Sequence, residues 1–148
     1  MSQAESNEIL LAEDSPTDAE LTIRALSSRI NNKITWVKDG AEVLDYIFCK
    51  GNYANRIGGA PKFILLDLKM PKVTGIEVLS HLKQDERTKA IPIIMLTSSA
   101  EEKDIAKGYQ LGVNSYLVKP VDFDEFINVV SDTGCYWAKY NRLTNILI

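Results

Sequence analysis

The alternation of two kinds of apolar segment constrains the fold of this chain most strongly. Five short, dense apolar runs lie at Ile9–Ala12, Ile34–Val37, Phe63–Leu66, Ile93–Leu96 and Tyr116–Val118. Runs without polar alternation are typical of strands that are covered on both faces of a parallel sheet. The segments between the runs carry apolar residues at helical spacing. The pattern therefore predicts five strands that alternate with five helices.

This alternation predicts an α/β fold, a doubly wound five-stranded parallel sheet with five helices. We expect the flavodoxin-like strand order 2-1-3-4-5, in a single domain over residues 1–148 with a core at 8–130 and an extension of the fifth helix at 131–148. Helix starts are expected at Ser15-Pro16, Asp39-Gly40 and Gly75. Ligands of such sheets bind outside the carboxyl ends of the strands.

Composition narrows the class of protein. The 17 basic and 20 acidic residues give a net charge of −3, which argues against a nucleic-acid partner. No apolar run approaches the roughly 20 residues that span a membrane, and the first residues, MSQAESNE, do not resemble a signal peptide. We expect a cytoplasmic protein without a membrane partner, in which Cys49 and Cys135 are free thiols.

Acidic residues follow two of the predicted strands. Glu13 and Asp14 come after the first strand, and Asp67 comes after the third. In the expected order these strands are neighbours, and two carboxylates about 4 Å apart repel by about 4 kcal/mol at an effective dielectric of 20. Such a cluster needs a cation, and oxygen ligands suit Mg²⁺. The alternative is that Asp14 only caps the first helix and Asp67 only begins a loop.

The ends of the fourth and fifth strands carry a hydroxyl and an amine. Thr97 ends the fourth strand and Lys119 follows the fifth, so both can lie beside the acids. A hydroxyl can bond to a phosphoryl oxygen, and a lysine can neutralise phosphoryl charge. Taken singly, Thr97 is equally a residue at a helix start, and Lys119 a solvated surface residue.

Four segments together resemble the signature blocks of bacterial response-regulator receiver domains: ILLAEDSPTD, ILLDLKMPKVTGIEVL, IPIIMLTSS and SYLVKPVD. They occur in the order and at the spacing of that family and cover residues 8–125. The resemblance implies that Asp67 accepts a phosphoryl group from a sensor histidine kinase. It also implies that Asp14, Asp67 and the main-chain carbonyl of Lys69 hold Mg²⁺, with Glu13 alongside.

The resemblance assigns roles to the remaining blocks too. Thr97 is implied as the switch hydroxyl, Lys119 as the phosphoryl contact, and Tyr116 as the aromatic residue whose rotamer follows the switch. The Lys119–Pro120 bond is expected to be cis. Phosphorylation is expected to remodel the surface of the fourth helix, fifth strand and fifth helix. With no room for an output domain, the signal would pass by protein contact or onward relay.

A narrower resemblance concerns residues 49–61, CKGNYANRIGGAP, which form a long connection before the third strand. Together with the extension past the fifth helix, this segment resembles the single-domain regulators paired with bacterial phytochromes. A bacterial phytochrome is therefore an expected kinase partner. The alternative is a tolerated surface insertion.

Other functions fit the residues less well. A receiver fold used only as a docking module, without phosphorylation, would not need the acids, hydroxyl and lysine together. A phosphatase with an aspartyl nucleophile needs a second aspartate two residues later, where this chain has Lys69. Glu13 and Asp14 would repel the phosphate of a flavin mononucleotide. His81, the single histidine, lies in the third predicted helix, away from the strand ends.

The fifth helix is apolar around more than half its circumference, if it continues through Gly134. The stripe expected to pack on the sheet consists of Phe123, Phe126, Ile127, Val130 and Trp137. An adjacent stripe consists of Val129, Tyr136, Tyr140 and Leu143. A one-sided helix needs an apolar face only somewhat wider than about 100°. We therefore expect a homodimer through the second stripe, the alternatives being a folded-back extension and a patch that docks a target.

Overall fold

The computed structural model describes residues 7–143. Its strands are β1 Ile9–Ala12, β2 Ile34–Val37, β3 Phe63–Leu66, β4 Ile93–Thr97 and β5 Ser115–Val118. All neighbouring strands pair in parallel, in the order β2-β1-β3-β4-β5. The predicted flavodoxin-like sheet is therefore confirmed, because each dense apolar run forms one strand.

Five α-helices connect and follow the strands: α1 Pro16–Ser27, α2 Gly40–Phe48, α3 Gly75–Gln84, α4 Glu102–Gln110 and α5 Phe123–Cys135. A π-helical turn, Tyr136–Tyr140, continues α5. Helices α1 and α5 pack together, α2 packs on α3, and α3 contacts α4. Among the described residues, no helix is long and apolar enough to cross a bilayer.

The sheet separates two hydrophobic cores, because successive strand residues face opposite sides. Leu10 and Ile64 point into the core beneath α2 and α3, whereas Ile9 and Phe63 point into the core beneath α1 and α5. Strands β1, β3 and β4 are buried throughout. Strands β2 and β5 lie at the sheet edges and are only partly buried. The expectation that both faces of every strand are covered was therefore wrong for these two.

Local signals position the helix starts beside the strand ends. Asp39 caps α2, and Thr74 caps α3 through a capping box with Glu77. Gly75, the first residue of α3, allows a close approach to the third strand end. A Cβ atom at this position would lie 2.1 Å from the main-chain oxygen of Asp67. The start of α3 is thus packed directly against the end of β3.

The C-terminal helix continues through Gly134 as expected, and Asn141 N donates to the carbonyl of Tyr136 at the end of the π-helical turn. The prediction that Phe123 belongs to the stripe that packs on the sheet was wrong, because this residue is 55% exposed. Phe123 is the first residue of α5 and follows an exposed connection that includes Val121. The predicted second stripe is largely exposed: Val129 is half-buried, and Tyr136, Tyr140 and Leu143 are exposed.

The long connection at residues 49–61 is tied to α2. The Arg56 side chain donates to the carbonyls of Tyr46 and Gly59, and its guanidinium lies 4.2 Å from the centroid of the Tyr46 ring. Tyr53, in a 3₁₀ turn, packs edge-on against Tyr46 and donates its hydroxyl hydrogen to Glu42. The connection is therefore built into the fold by specific contacts.

Candidate functional site

Three acidic side chains meet at the carboxyl edge of the sheet. Carboxylate oxygens of Glu13, Asp14 and Asp67 all lie within 4.8 Å of one another. Glu13 and Asp67 are buried, at 2% and 8% exposure, whereas Asp14 is exposed. The strand order brings together the acids that the sequence places after the first and third strands.

The sheet register explains this convergence. Ala12 of β1 lies beside Leu66 of β3, and Asp67 N donates to the carbonyl of Ala12 at 3.1 Å. The two strands therefore end at the same level, so the residues that follow them are neighbours. On the other side of β1, the indole nitrogen of Trp36 donates to the carbonyl of Glu13 at 2.7 Å.

Asp14 does not cap helix α1, so that alternative is wrong. The cap is Ser15, whose hydroxyl accepts the hydrogen bond from Asp18 N. Asp14 instead contributes to an open cleft of about 610 Å³, which is also lined by Lys69, Thr74 and Asp104. The cleft gives solvent and a ligand access to the Asp14 carboxylate.

Thr97 and Lys119 occupy the positions that the sequence predicts. Thr97 is the last residue of β4 and is 1% exposed, whereas the N-cap of α4 is Glu101, so Thr97 does not start a helix. Lys119 N donates to the carbonyl of Thr97 at 2.7 Å. Its side chain is 11% exposed, so Lys119 is not a solvated surface residue.

The ammonium of Lys119 reaches into the acidic cluster. Its nitrogen lies 2.7 Å from Oε1 of Glu13, 2.9 Å from Oδ2 of Asp18 and 3.6 Å from Oδ2 of Asp67. Asp18 was not among the predicted site residues. Its position in the first turn of a helix that starts directly after the first strand end was the signal that could have identified it.

Burial and charge act against one another at this cluster. Burial raises the pKa of Glu13, and the nearby charge of Asp67 adds to the rise, while the hydrogen bond from Lys119 opposes it. Burial alone would lower the pKa of Lys119, but its bonds to Glu13 and Asp18 raise that pKa above the ordinary value. The lysine is therefore a charged ammonium at neutral pH.

Tyr116 connects β5 to the loop after β4. Its ring is half-buried, and its hydroxyl donates to the carbonyl of Ser99 at 3.0 Å. The Ser99 hydroxyl in turn donates to Oδ2 of Asp104 in α4 at 2.6 Å. The pKa of Tyr116 is raised by burial. These bonds join the end of β4, the start of α4 and β5 into one network.

The expected cis bond at Lys119–Pro120 is absent: residues 7–143 contain no cis peptide bond. A trans bond before proline is the ordinary form, favoured by about 0.5–1 kcal/mol. The ammonium of Lys119 reaches the acids with this trans bond in place.

The donor set fits a hard divalent cation. The clustered acids supply carboxylate oxygens only, with no histidine or cysteine among them. Oxygen donors at an open site match Mg²⁺, which keeps several waters and is held by one or two carboxylates. Lys69, two residues after Asp67, lines the cleft, and its N–H donates to Oδ1 of Asp67 at 3.4 Å.

Comparison with known proteins identifies the family. Residues 9–131 match the response regulator receiver domain. The chain belongs to this family. Response regulator Rcp1 of Synechocystis sp. is 36% identical over 132 residues, which cover 88% of each protein. The Mn²⁺-bound structure of Rcp1 superposes with a TM-score of 0.86 at 34% identity, covering 93% of this chain and 98% of that one.

Two further solved structures are similar to this receiver domain. The phosphorylated cyanobacterial phytochrome response regulator RcpA has a TM-score of 0.88 at 34% identity, covering 95% of this chain and all of that one. The bacteriophytochrome response regulator AtBRR has a TM-score of 0.75 at 45% identity, covering 97% and 100%. The expected similarity to phytochrome response regulators is thus confirmed.

Proposed function

We propose that Asp67 of this receiver domain accepts a phosphoryl group from a phosphohistidine of a sensor histidine kinase. One observation carries the proposal: the buried carboxylate of Asp67 lies 3.6 Å from the ammonium of Lys119 and within the acidic cluster of Glu13 and Asp14. A nucleophile, a cation and a candidate metal site thus lie together at the carboxyl edge of the sheet. The phosphorylated form of RcpA, a relative of the same fold, supports the same chemistry here.

The reaction transfers the phosphoryl group from a histidine nitrogen to a carboxylate oxygen. A carboxylate oxygen of Asp67 attacks phosphorus, the bond between phosphorus and the histidine nitrogen breaks, and the imidazole leaves as a neutral group after taking a proton. The ammonium of Lys119 neutralises charge on the transferring oxygens. Later attack by water on phosphorus releases inorganic phosphate and restores the Asp67 carboxylate.

Mg²⁺ is the proposed cofactor, and it would supply neutralisation of phosphoryl charge. The residues proposed to hold it are Asp14, Asp67 and the main-chain carbonyl of Lys69, with Glu13 alongside. The oxygen-only donor set supports this assignment. The Mn²⁺-bound form of Rcp1 shows that a relative of this fold takes a divalent cation.

The proposed switch runs from Thr97 to Tyr116. A phosphoryl oxygen on Asp67 attracts the Thr97 hydroxyl, which accepts a long hydrogen bond of 3.5 Å from Ser99 N in the present structure. The carbonyl of Ser99 also accepts the hydrogen bond from Tyr116, so displacement of this loop moves the contact of the tyrosine. The surface that changes is formed by α4, β5 and α5.

A bacterial phytochrome is the proposed kinase. The proposal is supported by the similarity to response regulators whose names associate them with phytochromes, including AtBRR at 45% identity.

We also propose a homodimer through Val129, Tyr136, Tyr140 and Leu143. The exposure of Tyr136 and Tyr140, at 50% and 68%, supports an intermolecular partner rather than a fold-back within the described residues.

The direct test uses acetyl phosphate as a small donor. Wild-type protein with Mg²⁺ should gain one phosphoryl group by intact-mass measurement, and chelation with EDTA should prevent the gain. Asp67→Asn should stay unmodified, whereas the control Asp124→Asn, which alters an exposed carboxylate in α5, should be modified like the wild type. An unmodified wild type, or full modification of Asp67→Asn, would contradict the proposal.

A further inference from the structure

Lys119 contacts one carboxylate that lies outside the candidate metal cluster. That cluster consists of Glu13, Asp14 and Asp67. Asp18 is not a member, yet its Oδ2 accepts a hydrogen bond of 2.9 Å from the Lys119 ammonium. Asp18 is therefore placed to act on the lysine rather than on a metal ion.

The fold sets the position of both partners. Asp18 lies in the first turn of α1, where its N–H donates to the Ser15 hydroxyl and its carbonyl accepts from the Thr22 hydroxyl at 2.7 Å. Lys119 is held at the end of β5 by the bond from its N–H to the carbonyl of Thr97. The salt bridge thus joins a helix start to a strand end.

The ammonium of Lys119 forms hydrogen bonds to two of the three carboxylates around it. Two of its three N–H donors bond to Glu13 and Asp18, at 2.7 and 2.9 Å. Oδ2 of Asp67, at 3.6 Å, lies beyond ordinary hydrogen-bond distance. Glu13 and Asp18 therefore keep the ammonium close to the phosphoacceptor without letting it bond there.

Of these two contacts, that to Asp18 is the easier to give up. The Glu13 side chain is 3% exposed, so loss of its lysine partner would leave a buried carboxylate with one remaining bond, from Ser15 N. The Asp18 side chain is 40% exposed, so water can solvate it once the lysine moves. A phosphoryl group on Asp67 should therefore draw Lys119 away from Asp18 first.

We propose that Asp18 is a positioning residue for Lys119, whose carboxylate competes with the phosphoryl group for the ammonium. In the unphosphorylated protein Asp18 holds the cation beside Asp67, and in the phosphorylated protein it releases one N–H for a phosphoryl oxygen. Asp18 thereby sets how tightly the phosphorylated state is held. This inference rests on the proposed function, in which Lys119 contacts the phosphoryl group.

The test measures affinity for beryllofluoride, a stable mimic of a phosphoryl group on a carboxylate, at saturating Mg²⁺. Trp36 is a suitable fluorescent reporter because its indole N–H donates to the carbonyl of Glu13. Asp18→Asn retains the side-chain shape but removes the competing charge, so it should bind beryllofluoride about fivefold more tightly. The control Glu20→Gln removes an exposed charge from the same helix and should bind like the wild type.

A second measurement examines the contact without metal or mimic. A double-mutant cycle of Asp18→Asn and Lys119→Gln, followed by urea unfolding in EDTA, should give non-additive changes in unfolding free energy. Additive changes would overturn the inference. So would an Asp18→Asn affinity equal to or weaker than wild type, or an equal gain in Glu20→Gln. Failure of the wild type itself to bind beryllofluoride would instead contradict the proposed function.

Discussion

The hydroxyl of Ser15 accepts a hydrogen bond of 3.3 Å from the main-chain N–H of Asp18. This bond caps helix α1 and leaves the neighbouring carboxylate of Asp14 free of any capping role. Two adjacent residues therefore have separate tasks, one in helix stability and one in the acidic cluster. Their effects can be separated by mutation.

We expect Ser15→Ala to lower the free energy of unfolding by about 1 kcal/mol, the usual effect of a lost N-cap, with Mg²⁺ affinity unchanged. Asp14→Asn should weaken Mg²⁺ binding at least about tenfold, because loss of a residue that only orients a metal ligand already costs roughly 10–100-fold in affinity. It should leave the fold as stable or more stable, because a like charge leaves the cluster. Urea unfolding and Mg²⁺ titration of Trp36 fluorescence measure the two quantities, and unchanged affinity in Asp14→Asn would contradict its role as a ligand.

The hydroxyl groups of Tyr46 and Tyr53 should lose their protons at a higher pH than an ordinary tyrosine. Burial raises the pKa of each from 10.0 to about 12, and hydrogen bonds to Glu8 and Glu42 add to the rise. Since the folded pKa exceeds the unfolded one, the stability these groups contribute is complete below pH 10.0 and is lost as the pH rises towards about 12. In the wild type, part of the phenolate absorbance should therefore appear only as the pH approaches about 12. We call this part the late component.

The double variant Tyr46→Phe with Tyr53→Phe should lose the contribution of these two residues to the late component and keep only that of Tyr116, whose pKa is also raised by burial. Tyr109→Phe, a control at an exposed tyrosine of α4, should retain the whole late component. A late component of unchanged amplitude in the double variant would show that Tyr46 and Tyr53 are not buried and hydrogen-bonded as described.

The second stripe of α5 should mediate dimerisation. Tyr136→Glu with Tyr140→Glu should convert a wild-type dimer to a monomer, because each dimer would bury four carboxylates in an apolar contact. Light scattering measures the mass, and Tyr109→Glu in α4 is the control that should remain dimeric. A wild type that stays monomeric at high micromolar concentration, with and without beryllofluoride, would rule the dimer out.

Much of the fold was predictable because the local signals agree with the tertiary structure. The apolar runs became strands within one residue of their predicted bounds, and Ser15-Pro16 begins α1 as its residue types indicate. The acids converged because parallel order alone brings the ends of β1 and β3 together. These features depend on the residue types within short segments and on the rule that neighbouring parallel strands end at the same edge of the sheet.

Features that depend on long-range geometry were missed. The contact of Asp18 with Lys119 joins residues 101 positions apart, so a local pattern can place Asp18 near the first strand end but cannot indicate its partner. The exposure of Phe123 depends on where α5 begins relative to the sheet, which helical periodicity does not define. The incomplete cover of β2 and β5 follows from their edge positions, and the cis bond at Pro120 was expected from resemblance alone.

The central claim is that Asp67 is the phosphoacceptor, and site mapping tests it most directly. Phosphoramidate, whose phosphorus–nitrogen bond resembles that of phosphohistidine, would phosphorylate the protein in the presence of Mg²⁺. Borohydride then reduces an aspartyl phosphate to homoserine, which peptide mass spectrometry locates. The account predicts homoserine at position 67 and at no other aspartate. Homoserine elsewhere, with Asp67 unmodified in protein that gained a phosphoryl group, would contradict it.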